Sequence, residues 1–129
     1  MNKIIVEVSV GELLDKISIL EIKQEKIKDP NKLKFIEDEY SILKEQLDAN
    51  VKSTSEIKKL YKSLKEINSK LWVIEDDKRL CEKEKKFDEK FIKLSRDVHF
   101  LNDERARVKL EINTLMNSNI KEIKEYTDY

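Results

Sequence analysis

One glycine, one proline, one cysteine and one histidine in 129 residues leave little room for several kinds of protein. A single Gly supplies no Gly-rich loop of the kind that cradles phosphates in P-loop and dinucleotide folds. With so few turn formers, many-stranded β architectures are disfavoured. One Cys forms no intrachain disulfide, and one Cys with one His makes no Cys/His zinc cluster. No apolar run approaches the ~18 residues that a membrane helix needs. The opening Met1-Asn2-Lys3-Ile4-Ile5-Val6-Glu7 carries no signal-peptide cleavage pattern, so the chain reads as cytoplasmic. Lys plus Arg equals Asp plus Glu at 27 each, interleaved along the chain. The basic surplus or stripe of a nucleic-acid binder is therefore missing.

What the chain does have is charge and apolar residues at helical spacing. Hydrophobic residues make up 39% and charged residues 42%, too apolar for a disordered polyelectrolyte and well suited to long helices with narrow buried seams. The spacing predicts an all-α fold of two antiparallel helical hairpins. These would form a four-helix bundle or coiled-coil-like assembly within a single domain, with minor β structure at the termini.

Residues 1–10 read as a short strand, because Ile4, Val6, Val8 and Val10 alternate with Ile5, Glu7 and Ser9. A lone strand needs a partner, and residues 120–126 of the C-terminal tail, 118–129, are the best candidate. The first hairpin covers residues 10–50. Its first helix starts at Ser9 with Glu12 completing a capping box and Val8 stapling to Leu13, and it stops near Lys28. Its second opens with Asp29 as cap and Pro30 in the first turn. The polar stretch from Asp48 to Thr54 reads as a linker. The second hairpin covers residues 53–117, opened by a capping box of Ser53 and Glu56. Its seams are Ile57, Leu60, Leu64, Ile67, Leu71, Ile74 and Cys81, then Phe91, Leu94, Val98, Leu101, Arg105, Val108, Ile112 and Leu115. A turn near 85–88, with Asp88 as cap and Phe87 stapling to Ile92, sets Ile74 against Val98, Leu71 against Leu101, Leu64 against Val108 and Ile57 against Leu115. The rival is one unbroken helix from about 55 to 117, but short loops make antiparallel neighbours. The second hairpin overhangs the first, which predicts a homodimer or higher oligomer.

Carboxylates are the only plentiful catalytic material. Glu12 and Asp15 form an E-x-x-D with no E-x-x-E before it, and one His cannot supply the two Glu-x-x-His motifs of a di-iron bundle. Cys81 sits in the seam as a small apolar residue, and His99 beside it. No cofactor or metal is implied, and the balance leans against an enzyme. One constellation stands out. The hairpin register brings Trp72 near Phe100, Glu75 near Asp97 and Asp76 near Arg96, with Arg79, Asn102, Asp103 and Arg105 within a turn or two. Arg105 occupies the apolar seam, where a lone charge is costly, so it demands a carboxylate, either Glu66 or one from the first helix. The cluster reads either as an ion-pair network that fixes register or as a polar pocket for an anionic or sugar-like ligand beside Trp72.

The series Gly11-Glu12-Leu13-Leu14-Asp15-Lys16-Ile17, Leu20-Glu21-Ile22-Lys23, Leu71-Trp72, Ile74-Glu75-Asp76-Asp77, Arg79, Phe91-Ile92, Arg96, Asn102-Asp103, Arg105-Ala106, Lys109, Ile112-Asn113 and Lys124-Glu125-Tyr126 resembles a family of small bacterial and phage proteins known only as a domain of unknown function. The likeness runs nearly the length of the chain. Lys78 stands where the family pattern has an aliphatic residue, His99 where it has an aromatic, and Asn117 where it has Gly, which puts a tight turn after the last helix in doubt. The resemblance brings no activity. It implies that Glu12, Asp15, Glu75, Asp76, Arg96, Asn102, Asp103 and Arg105 matter together, and it implies proximity to glycan-transfer proteins. The functional expectation is a non-enzymatic helical interaction or scaffolding module with an unknown protein partner. The alternatives are a small-ligand-binding or metal-dependent enzyme using the cluster at Trp72, or a regulator of a host enzyme.

Overall fold

The computed structural model describes residues 2–129 and shows an all-α bundle of four helices: α1 (Val10–Lys26), α2 (Pro30–Asn50), α3 (Ser55–Glu84) and α4 (Glu89–Leu115). Each helix begins on a side-chain cap at an extended residue. Ser9 accepts from the Glu12 N–H, Asp29 from Asn31, Thr54 from Ile57 and Asp88 from Phe91. The cap of α3 is thus Thr54 rather than Ser53. At α1 only half of the predicted capping box forms, because the Glu12 carboxylate turns away to Lys109 and Lys16.

The chain doubles back between α3 and α4, as the heptad register requires. Lys85 ends α3 in the left-handed region at φ 55°, and the Lys86 N–H reaches the Cys81 carbonyl at 2.9 Å, a Schellman-type closure. The predicted staple is replaced: Phe87 and Ile92 are exposed, and Phe87 packs edge-on against Phe91 at 5.2 Å. Asn117 takes the same left-handed geometry after α4 (φ 50°), with the Ser118 N–H on the Asn113 carbonyl. The tight turn is present although Asn stands in place of Gly.

Helix α1 is the centre of the bundle. It packs against each of the other three helices, α3 pairs with α4 along the hairpin, and α2 lies along α1 alone. The core joins Leu14 of α1 to Ile57, Leu64, Ile67 and Leu71 of α3 and Val108 and Ile112 of α4. Leu115, expected opposite Ile57, is exposed, and Met116 packs against the core instead. Cys81 is buried in the α3 seam as expected.

The terminal strands do not form. Among the described residues there is no strand, and no backbone hydrogen bond joins residues 2–8 to 119–129. Ile4, Ile5 and Val6 are 86, 79 and 69% exposed, so the alternating face has nothing to cover. The tail is no match for it, since its apolar residues Ile120, Ile123, Tyr126 and Tyr129 recur every third position rather than every second. Among the described residues no helix is long and apolar enough to cross a membrane.

Candidate functional site

Arg105 projects from the α4 seam toward α1, and the carboxylate it demands is Asp15. Nε donates to Asp15 Oδ1 at 2.9 Å and Nη2 to Oδ2 at 2.5 Å, a two-pronged pairing of the geometry that makes Arg–carboxylate contacts strong. Asp15 is buried at 2% exposure. Asn68 of α3 donates to the same Oδ1 at 2.8 Å and lies 2.8 Å from the Ser18 hydroxyl, which itself donates to the Asp15 carbonyl. Lys109, one turn along α4, sits 3.5 Å from Asp15, 2.7 Å from Glu12 and 3.2 Å from Glu122 of the tail. Burial pushes the Asp15 carboxyl up, but the hydrogen bonds from Arg105 and Asn68 and the nearby cations together hold it below its ordinary value. Arg105 is raised chiefly by its bond to Asp15. Burial works against the Lys109 charge, and its acidic neighbours overcome that and raise it.

Close by, the one glycine lets α1 approach α4. The Gly11 N–H donates to Asn113 Oδ1 at 2.7 Å, and a Cβ at Gly11 would meet the Lys109 carbonyl oxygen at 2.6 Å. Among the described residues, no buried side-chain nitrogen or oxygen is left without a partner. This half of the constellation is a closed network that spends its polar atoms on itself.

The other half is open. Trp72, Glu75, Asp76 and Arg79 of α3 line a cleft of about 330 Å³ with Ile19 and Ile22 of α1, Leu71, Asn68 and the flank of Arg105. Glu75, Asp76 and Arg79 are exposed, and none of them makes an ion pair among the described residues. Apolar side chains and an indole line it, with two exposed carboxylates and the Arg79 guanidinium beside them. No group of three or more His, Cys, Asp or Glu placed to hold a metal occurs among the described residues.

Two predicted members stand apart. Arg96 lies over the Phe100 ring at 5.9 Å, and Asp103 accepts a hydrogen bond from the Tyr129 hydroxyl, whose ring packs edge-on against His99 and Phe100. The expected pairs Trp72–Phe100, Glu75–Asp97 and Asp76–Arg96 are not found together. Phe100 and Asp97 share a groove with Val73, Ile74 and Leu101, and Asp97 pairs with Lys93. The register holds, but the side is wrong. In an antiparallel pair, one step forward from the seam on one helix shares a face with one step forward on the other. Trp72 therefore shares its flank with Asn102, whose Oδ1 is 3.5 Å from Arg105, while Phe100 faces the opposite way.

The sequence reading missed Ser18, Asn68, Lys109, Asn113 and Glu122. Asn68 gave a signal, a polar residue beside seam positions Ile67 and Leu71, as did the solitary Gly11. Glu122 gave none, because its role depends on the path of the tail.

A family model described as "Family of unknown function (DUF6165)" matches residues 4–128. No curated protein and no solved structure matches the chain. A match over nearly every residue, including both halves of the constellation and the tail that brings Glu122 to Lys109, places the chain as a member of this family of unknown function.

Proposed function

We propose that this protein is a non-enzymatic helical interaction module, and that its recognition surface is the Trp72 cleft between α1 and α3. One observation carries the reading. Glu75, Asp76 and Arg79 stand unpaired around an apolar floor while the polar network beside them is closed. The Asp15 network gives a rigid frame, and the open rim offers complementary charge to a partner protein, whether scaffolded or regulated. An aromatic anchor with Arg at its edge is the composition that dominates protein interfaces.

The test compares the wild type with a Glu75→Lys, Asp76→Lys, Arg79→Glu variant in quantitative cross-linking and capture. All three side chains are exposed, so helix content and melting temperature should hold. The partner retained by the wild type and by Asp103→Ala should be lost by the triple variant. Equal capture by all three proteins would reject the cleft as the docking surface.

A second reading has its own support. A Trp-lined cleft with exposed carboxylate and guanidinium groups suits a sugar-like ligand, and the glycan association implied by the resemblance makes nucleotide sugars the natural probes. Trp72 is the only tryptophan, so its fluorescence reports on the cleft directly. A ligand held at about 100 times its dissociation constant adds about 2.7 kcal/mol of stability. A nucleotide sugar that raises the melting temperature and shifts Trp72 emission would favour this reading over the protein partner.

A further inference from the structure

We infer that residues 3–7 are a self-association segment that pairs with the same segment of a second copy as an antiparallel two-stranded ribbon. The inference is independent of the Trp72 cleft. Residues 2–8 have no regular secondary structure, make no backbone hydrogen bond to the other described residues, and expose Ile4, Ile5, Val6 and Val8. An unpaired apolar segment of this kind is a template for another strand. Among the described residues the bundle supplies no strand of its own.

The occupant is read from the charges. A two-fold axis relating antiparallel strands stands normal to the ribbon, so even-numbered residues of both copies share one face and odd-numbered residues the other. With the axis at Ile5, Lys3 lies opposite Glu7 of the other copy, Ile4 opposite Val6, and Ile5 opposite itself. Moving the axis to Ile4 or Val6 places each charge opposite an isoleucine or beyond the segment. Lys3-Ile4-Ile5-Val6-Glu7 is thus self-complementary in one register. Neither Lys3 nor Glu7 makes an ion pair among the described residues. A two-stranded ribbon alone is marginal, and apolar cover is at hand. Asn119 contacts Glu7 at 3.4 Å, which sets the start of the tail, with exposed Ile120 and Ile123, beside the segment.

The experiment combines light scattering with directed cross-linking. Wild-type protein should dimerise with concentration. Lys3→Glu and Glu7→Lys should each raise the dimer dissociation constant roughly tenfold, since each turns two cross-strand attractions into repulsions. The double variant, with the charges exchanged, should recover the wild-type value. In a Cys81→Ser background, Ile5→Cys should oxidise to a covalent dimer well ahead of Lys3→Cys, because residues facing across the axis fall within disulfide reach. Circular dichroism checks that each variant keeps its helices. A monomer at every concentration, a dimer indifferent to both charge reversals, or equal oxidation at positions 3 and 5 would each overturn the inference. A dimer formed through the exposed Phe87 end of the hairpin would show as the second of these.

Discussion

Gly11 sits where α1 lies close against α4, and its effect is opposite to what helix propensity suggests. Inside a helix, Gly is less favourable than Ala by about 1 kcal/mol, so Gly11→Ala should stabilise α1 considered alone. In the bundle the new methyl would stand 2.6 Å from the Lys109 carbonyl oxygen and 2.8 Å from Asn113 Oδ1. The first of these is backbone and does not swing aside. The two helices must then part, opening the Gly11–Asn113 bond and loosening Lys109 from Glu12. Gly11→Ala should therefore lower stability by about 1–3 kcal/mol, the usual cost of overpacking, in urea titration. A gain would mean that the α1–α4 crossing accommodates a methyl group without parting. Single residues were unevenly legible. Arg105 announced its need for a carboxylate because a guanidinium in an apolar seam has no cheap alternative. Lys109 looked like one more lysine on a charged helix, and only the crossing of α1 buries it.

Helices and their ends were easier to read than the faces between them. Caps at Ser9, Asp29 and Asp88 follow from local chemistry, and the hairpin register follows from two seams that match when folded. Which flank meets α1 does not follow from either seam, so register alone sets Trp72 beside Phe100, on the wrong side. The terminal segments misled for a related reason: alternation shows that a strand is possible and says nothing of a partner. The turn between α3 and α4 offers a direct check. Lys85 adopts φ 55°, which costs a residue with a Cβ about 1 kcal/mol relative to Gly. Lys85→Gly should raise the urea midpoint by a corresponding amount. In one continuous helix the same change would lower it by about 1 kcal/mol, so the sign alone separates the two architectures.

At the scale of the whole molecule, Asp15 joins the three helices of the core, taking Arg105 and Lys109 from α4 and Asn68 from α3. The coupling has a pH signature. Its folded-state carboxyl is depressed, so the stability it contributes is complete above the ordinary carboxylate value of about 4 and is lost as pH falls through the lower folded value. Lys109 is shifted up, so its share is complete below the ordinary lysine value of about 10.4 and is lost as pH rises through the folded one. Between those limits Asp15→Asn should cost about 2–3 kcal/mol. That is below the usual price of breaking a buried pair, because Arg105 keeps 28% side-chain exposure and Lys109 keeps Glu12 and Glu122. As pH falls below the ordinary carboxylate range the gap between wild type and variant should narrow, since protonation does to Asp15 what the amide does permanently. Chemical denaturation of both proteins across pH measures the gap at each point. If it stayed level down to the acid limit, the Asp15 charge would contribute nothing, and the apolar contacts of Leu14 would have to hold α1 against α3 and α4.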